Sequence, residues 1–441
     1  MFEELHRCCR NLPIAFALCL LSLACFETES DAGGWREVAP LPEARWFAAA
    51  GVGSDSRIYA FGGRVDGEGL RSGHGLREYS MVIYDPMSNL WRRGPEVIRH
   101  RYRAIGVKVV GEVDGTQRVV PSMREGTGDL PPFEVPNGGS GPRGRIYWFG
   151  GTVPLVFDPA TGAWGQPTPP LYHQKERRYD GSVPVYRRTV SATAVAPDGK
   201  FYLIGGMGDL RGESSYNLLA TVDVYDPATN TWSTTAPMQR ARQIFCASFS
   251  ADGKLYVFGG YGHEGSISLE PDESDAAYAE RLAEMMQLST HALDSVEVYD
   301  PATDRWEPRA PMLLGVEGAA AALGAEGRIY VTGGTVSYSN PKPEALVQVY
   351  DPATNTWSEG PPLLTARQGH ALVVTSKGRL YAIGGTSGHS VFHPLRLLGD
   401  AEAGSRGGPL ASVEILETAP AAQPGEPDGR WIMPQQRESD R

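Results

Sequence analysis

Cysteine, histidine and basic charge are scarce in this chain, and long apolar runs are confined to one end. There are five cysteines in 441 residues, and Cys8, Cys9 and Cys19 all fall in the N-terminal apolar stretch. That leaves Cys25 and Cys246, so a disulfide-stapled scaffold is excluded, and a single Cys25–Cys246 bridge is allowed but not required. Cys246 lies in the apolar run Gln243-Ile244-Phe245-Cys246 and reads as a small buried hydrophobe. The nine histidines are scattered, with only His389 and His393 close together and His370 at a different strand start. Without carboxylate or cysteine partners they read as solvated side chains, so neither a metal nor another cofactor is expected. Net charge is −11 with no basic run, which argues against nucleic acid as a partner. Gly385-Thr386-Ser387-Gly388-His389 lacks the strand–turn–helix setting of a nucleophile elbow, and no catalytic residue is assigned.

The one apolar run is Asn11 to Ala24, preceded by His6, Arg7 and Arg10. It is too short to span a bilayer comfortably and ends in the small residues Ser22 and Ala24, so residues 1–24 read as a signal peptide and the protein as exported. Leu21-Ser22-Leu23-Ala24-Cys25 resembles a bacterial lipoprotein processing site, although Ser22 stands where a large apolar residue is expected. Two fates stay open. Cys25 is lipidated and attaches the chain to a membrane as a periplasmic or cell-surface lipoprotein, or the cleaved chain is secreted. Residues 25–34 form a short linker.

What the chain does have is one phrase written five times: two glycines after an apolar run, later an aromatic-Asp-Pro, then a tryptophan six residues past the aspartate. The first copy is Gly62-Gly63, Tyr84-Asp85-Pro86 and Trp91, and the fifth is Gly333-Gly334, Tyr350-Asp351-Pro352 and Trp357. A sixth glycine pair, Gly384-Gly385, is followed by the degenerate Val413-Glu414-Ile415-Leu416-Glu417. Such units cannot bury their apolar faces alone and must stack on their neighbours. Runs such as Lys254-Leu255-Tyr256-Val257-Phe258 have the composition of a buried strand, with tyrosines placed to pack between units. Asp198-Gly199, Asp252-Gly253 and their equivalents form the hairpin turn before that strand. Asp-Pro-Ala-Thr-Asn forms a later turn in which Asn230, Asn355 or Gly162 takes the left-handed position.

This pattern resembles the kelch repeat from about Trp35 to the end of the sixth unit. The resemblance implies an all-β fold, a six-bladed β-propeller with four antiparallel strands per blade. Successive glycine pairs are 88, 55, 54, 74 and 51 residues apart, so insertions separate some units. Residues 111–144 are expected to interrupt the first hairpin of blade two, and 168–187 to precede the first strand of blade three. Residues 261–293 follow the fourth glycine pair, and 275–288 read as a short amphipathic helix. Ring closure needs a fourth strand for blade six. Trp35-Arg36-Glu37-Val38 matches Trp306-Glu307-Pro308-Arg309 and competes with Trp431-Ile432-Met433-Pro434 for that place; the N-terminal strand is the expected one. The propeller is then drawn over 35–434 with a tail over 435–441, as a monomer.

Arg45, Arg188, Arg242 and Arg367 stand at one offset before their glycine pairs, and Arg101 is offered for blade two. Blade five breaks the series with Val316 and Glu317. Five guanidiniums at one mouth would focus positive potential and grip carboxylates, which makes these arginines candidate ligand contacts for an unidentified protein or an anionic glycan; the kelch resemblance equally implies arginines at this place that only brace neighbouring loops, and both readings stay open. A second reading follows from resemblance to the six-bladed N-acetylneuraminate epimerases (mutarotases). It implies acid–base chemistry on a sugar acid with Arg188, Arg242 and Glu264 as the residues to test. Glu317 and Asp209 are further carboxyls on the same loop face, with no spacing that pairs them.

Overall fold

The computed structural model describes residues 33–65, 76–77, 80–95, 102–113, 116–125, 138–149, 154–168, 188–189, 191–208, 217–262, 292–336, 342–388 and 408–418. From Trp35 onward the chain forms a six-bladed β-propeller, each blade a four-stranded antiparallel sheet. No α-helix occurs among the described residues. Blade one comprises Ala49–Val52, Ile58–Phe61, Met81–Asp85 and Leu90–Arg93. Blades three, four and five repeat that order from Ala192–Val195, Cys246–Phe249 and Ala320–Leu323.

Blade six is completed by the N-terminus. Arg36–Val38 pairs antiparallel with Val413–Glu417, Arg36 opposite Ile415 and Val38 opposite Val413. Trp35 is the missing sixth tryptophan. It is 5 % exposed, and its indole N–H donates to Pro361 O at 2.9 Å. In blades one, three, four and five the strand-four tryptophan makes the same bond to the connector entering its own blade: Trp91 to Ala39 O, Trp232 to Thr168 O, Trp306 to Ala236 O and Trp357 to Ala310 O.

The strand three–four turn holds the other side of that connector. Asn89, Asn230, Asp304 and Asn355 have φ between 52° and 57°, a left-handed conformation that Asn and Asp tolerate better than most residues. Each side-chain oxygen accepts the N–H of the same connector residue, from Ala39, Thr168, Ala236 and Ala310. Each also accepts the hydroxyl of the blade's Tyr-Asp-Pro tyrosine. One turn and one indole thus satisfy both polar groups of a connector residue, which would be costly to bury unpaired. Aromatic contacts join the sheets: Tyr202 of blade three lies 6.2 Å from Tyr299 of blade four, Tyr256 of blade four 5.4 Å from Tyr350 of blade five, and Tyr381 of blade six 5.8 Å from Tyr84 of blade one.

The glycine pairs lock blade to blade. A Cβ on Gly333 (φ 64°) would stand 2.3 Å from Arg367 O of the next blade, and Gly334 N–H donates to that same carbonyl at 2.9 Å. Gly259 against Val316 O and Gly384 against Arg45 O repeat the contact. Gly333→Ala therefore combines left-handed strain with a backbone clash, and a loss of about 2–4 kcal/mol is expected in denaturant melts.

Blade two departs from the expected layout. Its first strand is Gly138–Ser140, joined to Ile146–Trp148 by a short 3₁₀ turn at Pro142–Gly144. The inserted chain lies ahead of this strand and does not interrupt its hairpin. Tyr102–Val113 and Thr116–Glu125 pair with each other as a separate two-stranded ribbon. Close packing accounts for the first position of Gly138–Ser140: a Cβ at Gly138 would meet Tyr147 O at 2.1 Å, and the strand Gly138-Gly139-Ser140 as a whole carries no β-branched signature. Residues 275–288 and 419–441 lie outside the described residues.

Candidate binding face

Arg45, Arg242 and Arg367 are 1 %, 0 % and 0 % exposed, and their guanidiniums turn into their own blades. Arg242 Nη1 donates to Gly259 O at 3.0 Å and Ser295 O at 3.2 Å, while Nη2 reaches Ser295 Oγ and the Glu297 carboxylate. Arg367 repeats this on Gly384 O, Ser412 O, Ser412 Oγ and Glu414. Arg45 does so on Gly62 O, Ser80 O and Ser80 Oγ, with Glu43 at 3.6 Å supplying the carboxylate. In each blade the arginine and its glycine are 17 residues apart. The side chain of Arg188, and Arg101 altogether, lie outside the described residues. The first strand of blade two begins at Gly138.

What the three arginines hold is specific. The glycine carbonyl marks the end of strand two and the serine the start of strand three, so each fork closes the feet of the loop between those strands. The span varies widely, from Gly62–Ser80 to Gly384–Ser412 to Gly259–Ser295, yet the clamp is the same. Burial pulls the Arg242 and Arg367 guanidiniums down from their ordinary value, with Glu297 and Glu414 opposing it. Guanidinium starts high enough to stay charged throughout.

The carboxylates have a second task. Glu297 accepts the amides of Gln239 and Arg240, and Glu414 those of Leu364 and Thr365, which pins the connector entering the blade. In blade five Val316 replaces the arginine, and the other two positions change with it, to Leu346 and Gln348. The Gln348 amide bonds both the N–H and the C=O of Leu314. Arginine and carboxylate thus leave together, as expected where an unpaired buried charge is costly. This coupling of three positions is readable in the sequence, but an arginine series alone does not reveal it.

Two residues beyond the arginine position, the blades are sewn together through their backbones. Gly318 N–H donates to Ile244 O at 2.7 Å, Gly369 N–H to Gly318 O at 2.8 Å, and Phe47 N–H to Gly369 O at 2.6 Å, linking blades four, five, six and one. Just before this ribbon stand Gln243, Glu317 and Gln368, all buried. Glu317 is 1 % exposed and its Oε2 has no partner, nor have Gln243 Oε1 and Thr335 Oγ1. Burial alone pushes the Glu317 carboxyl up to about 8.

His370 is buried, with Nε2 against Thr332 Oγ1 at 2.8 Å, and burial followed by the nearby Arg367 charge lowers it to about 3, so its ring is neutral. His389 and His393 lie outside the described residues, among which no three His, Cys, Asp or Glu side chains gather as a metal site. Cys246 is a free, buried thiol raised to about 12 by burial. Glu264 and Asp209 lie outside the described residues.

Comparison with known proteins places the repeats in context. A family model described as the KLHDC2/KLHL20/DRC7 Kelch-repeats domain matches residues 192–398. Kelch-like protein 35 of Mus musculus is 28 % identical over 195 residues, 44 % of this chain and 27 % of its own length. Kelch-like protein 25 of Xenopus tropicalis is 32 % identical over 176 residues, 40 % of this chain and 25 % of its own. A putative F-box/kelch-repeat protein of Arabidopsis thaliana is 27 % identical over 222 residues, 48 % of this chain and 47 % of its own. The chain matches less than half the length of each of these relatives.

Proposed function

Because this chain belongs to the kelch-repeat family, we propose that it is a protein-binding module that takes a polypeptide on the face carrying its strand two–three loops. The observation that carries the reading is the arginine clamp. The same buried fork fixes loop feet whose spans differ widely, from Gly62–Ser80 to Gly259–Ser295. Variable loops on rigid feet are how a stiff scaffold presents a recognition surface. The arginines then serve as supports for the loops, and the contacts fall to the loops and to the residues between the feet.

The N-terminal leader read from the sequence adds export to this proposal, with Cys25 as the lipid acceptor if a membrane anchor is made. Mass spectrometry of the mature N-terminus checks it, an acyl mass on Cys25 supporting the anchor and an unmodified mature end removing it. The binding reading is tested by trimming 263–291 and 389–407 to the short connection of blade five, clamps intact. Crosslinking in the exported fraction should lose its protein adducts at least tenfold while the melting temperature holds. Unchanged adducts, or capture of a glycan array alone, would overturn it. The sugar-acid mutarotase reading draws no support from the described residues: Arg242 is buried against Glu297, and the Arg188 side chain and Glu264 lie outside them.

A further inference from the structure

Blade five, which lacks the arginine, puts a carboxyl at the next position. Its neighbours hold neutral amides there, Gln243 in blade four and Gln368 in blade six. The backbone bonds from Gly318 to Ile244 and from Gly369 to Gly318 draw these three residues alongside one another. A Cβ on Gly318 would lie 3.3 Å from Gln368 Oε1, which shows how near that amide stands to the carboxyl's own strand. Glu317 and Thr335 exchange both backbone hydrogen bonds, at 2.9 Å each, so their side chains leave the same face of that pair.

Three of the atoms left without partners can accept a hydrogen bond, while Arg242 Nε, a donor, and His370 Nδ1 are also unpartnered. Gln243 Oε1 accepts only, Thr335 Oγ1 can accept, and Glu317 Oε2 becomes acceptor-only once its carboxyl is ionised. Among the described residues no cation answers the carboxyl: the guanidiniums of Arg242 and Arg367 in the flanking blades belong to Glu297 and Glu414, and the His370 ring is neutral. Orphaned buried acceptors are expensive, so a closed, empty arrangement pays a penalty that a donor-bearing cation would remove.

We propose that Glu317, flanked by Gln243, Gln368 and Thr335, is the receptor for a lysine ammonium or arginine guanidinium of the bound polypeptide. This rests on the protein-binding reading and gives it a chemistry: a basic side chain inserted from the loop face at blade five. Insertion takes the proton from the Glu317 carboxyl, the carboxylate remaining paired with the incoming cation and the proton passing to buffer. Affinity therefore rises with pH up to about 8, where the carboxyl is already ionised.

The test uses full-length protein with carboxyl-¹³C glutamate and two probes, Nα-acetyl-lysine methylamide and its uncharged isostere Nα-acetyl-norleucine methylamide. The lysine probe should shift the Glu317 carboxyl carbon saturably to its ionised position, and Glu317→Gln should weaken binding at least tenfold. The norleucine probe should do nothing. No saturable shift with lysine, equal binding by both probes, or undiminished lysine binding by Glu317→Gln would each overturn the receptor. Should Glu317→Gln keep protein adducts that loop trimming abolishes, the receptor falls and the binding reading stands. If trimming spares the adducts while the lysine probe still saturates Glu317, the binding reading falls and the receptor stands.

Discussion

Arg367→Ala should lower the unfolding free energy by about 3–5 kcal/mol, because it strands the Glu414 carboxylate in the interior of blade six. The loss comes from the uncompensated charge and five vacated acceptors, Thr365 O, Gly384 O, Ser412 O, Ser412 Oγ and Glu414 Oε1. Arg242→Ala in blade four should behave alike, since Glu297 is buried against it. The sharper test copies blade five into blade six: Arg367→Val, Ser412→Leu and Glu414→Gln together. Removing charge and counter-charge in step should recover most of the loss, leaving a deficit of about 1–2 kcal/mol. Urea titration reads both through the shift in midpoint. A triple variant no better than Arg367→Ala would mean that the three positions are not one unit. Charge reversal at Arg45, Arg242 or Arg367 would unfold blades before it probed a ligand, so those substitutions cannot report on binding alone.

Glu317→Gln should stabilise the protein, and only above acidic pH. Burial raises the folded carboxyl from 4.5 to about 8, so the folded chain holds a proton that the unfolded chain has released. Below about pH 4.5 both states are neutral and the residue costs nothing by ionisation. From there the cost grows as pH rises, levelling off above about 8 at on the order of 4 kcal/mol. The variant's advantage should follow that curve, absent at pH 4 and full at pH 8 and beyond. Paired melts of the two proteins from pH 4 to 9 check it. A pH-independent difference would show that the carboxyl has no raised titration in the fold.

Much of the architecture was legible because each recurring residue type meets a requirement of the ring. The glycine pairs, the aromatic-Asp-Pro turns and the tryptophans fix the blades, and the match of Trp35 to Trp306 predicted that the N-terminal strand completes blade six. Blade two was misread because its first strand is Gly138-Gly139-Ser140. The Tyr147 carbonyl excludes any side chain at Gly138, and the short Gly-Gly-Ser run lacks the residues that mark a strand, whereas Tyr102 to Val113 carries that mark and builds a ribbon outside the blades. The arginines were found by spacing, but spacing does not tell a side chain's direction. Their inward turn depends on Ser295 and Glu297, or Ser412 and Glu414, far along the chain. Glu317 drew attention as a carboxyl on the loop face. Its lack of partners emerges only when Gln243, Gln368 and Thr335 are brought beside it.

The tie between Arg36–Val38 and Val413–Glu417 has a consequence for biogenesis. Arg36–Val38 has no seat until Val413–Glu417, far later in the chain, has been translated, so a nascent chain must hold five finished sheets beside an unpaired strand. Clipping that segment after assembly would free the edge of Val413–Glu417 without disturbing any other hydrogen-bonded ladder. Proteolysis at this seam would thus be a way to unlatch the wheel.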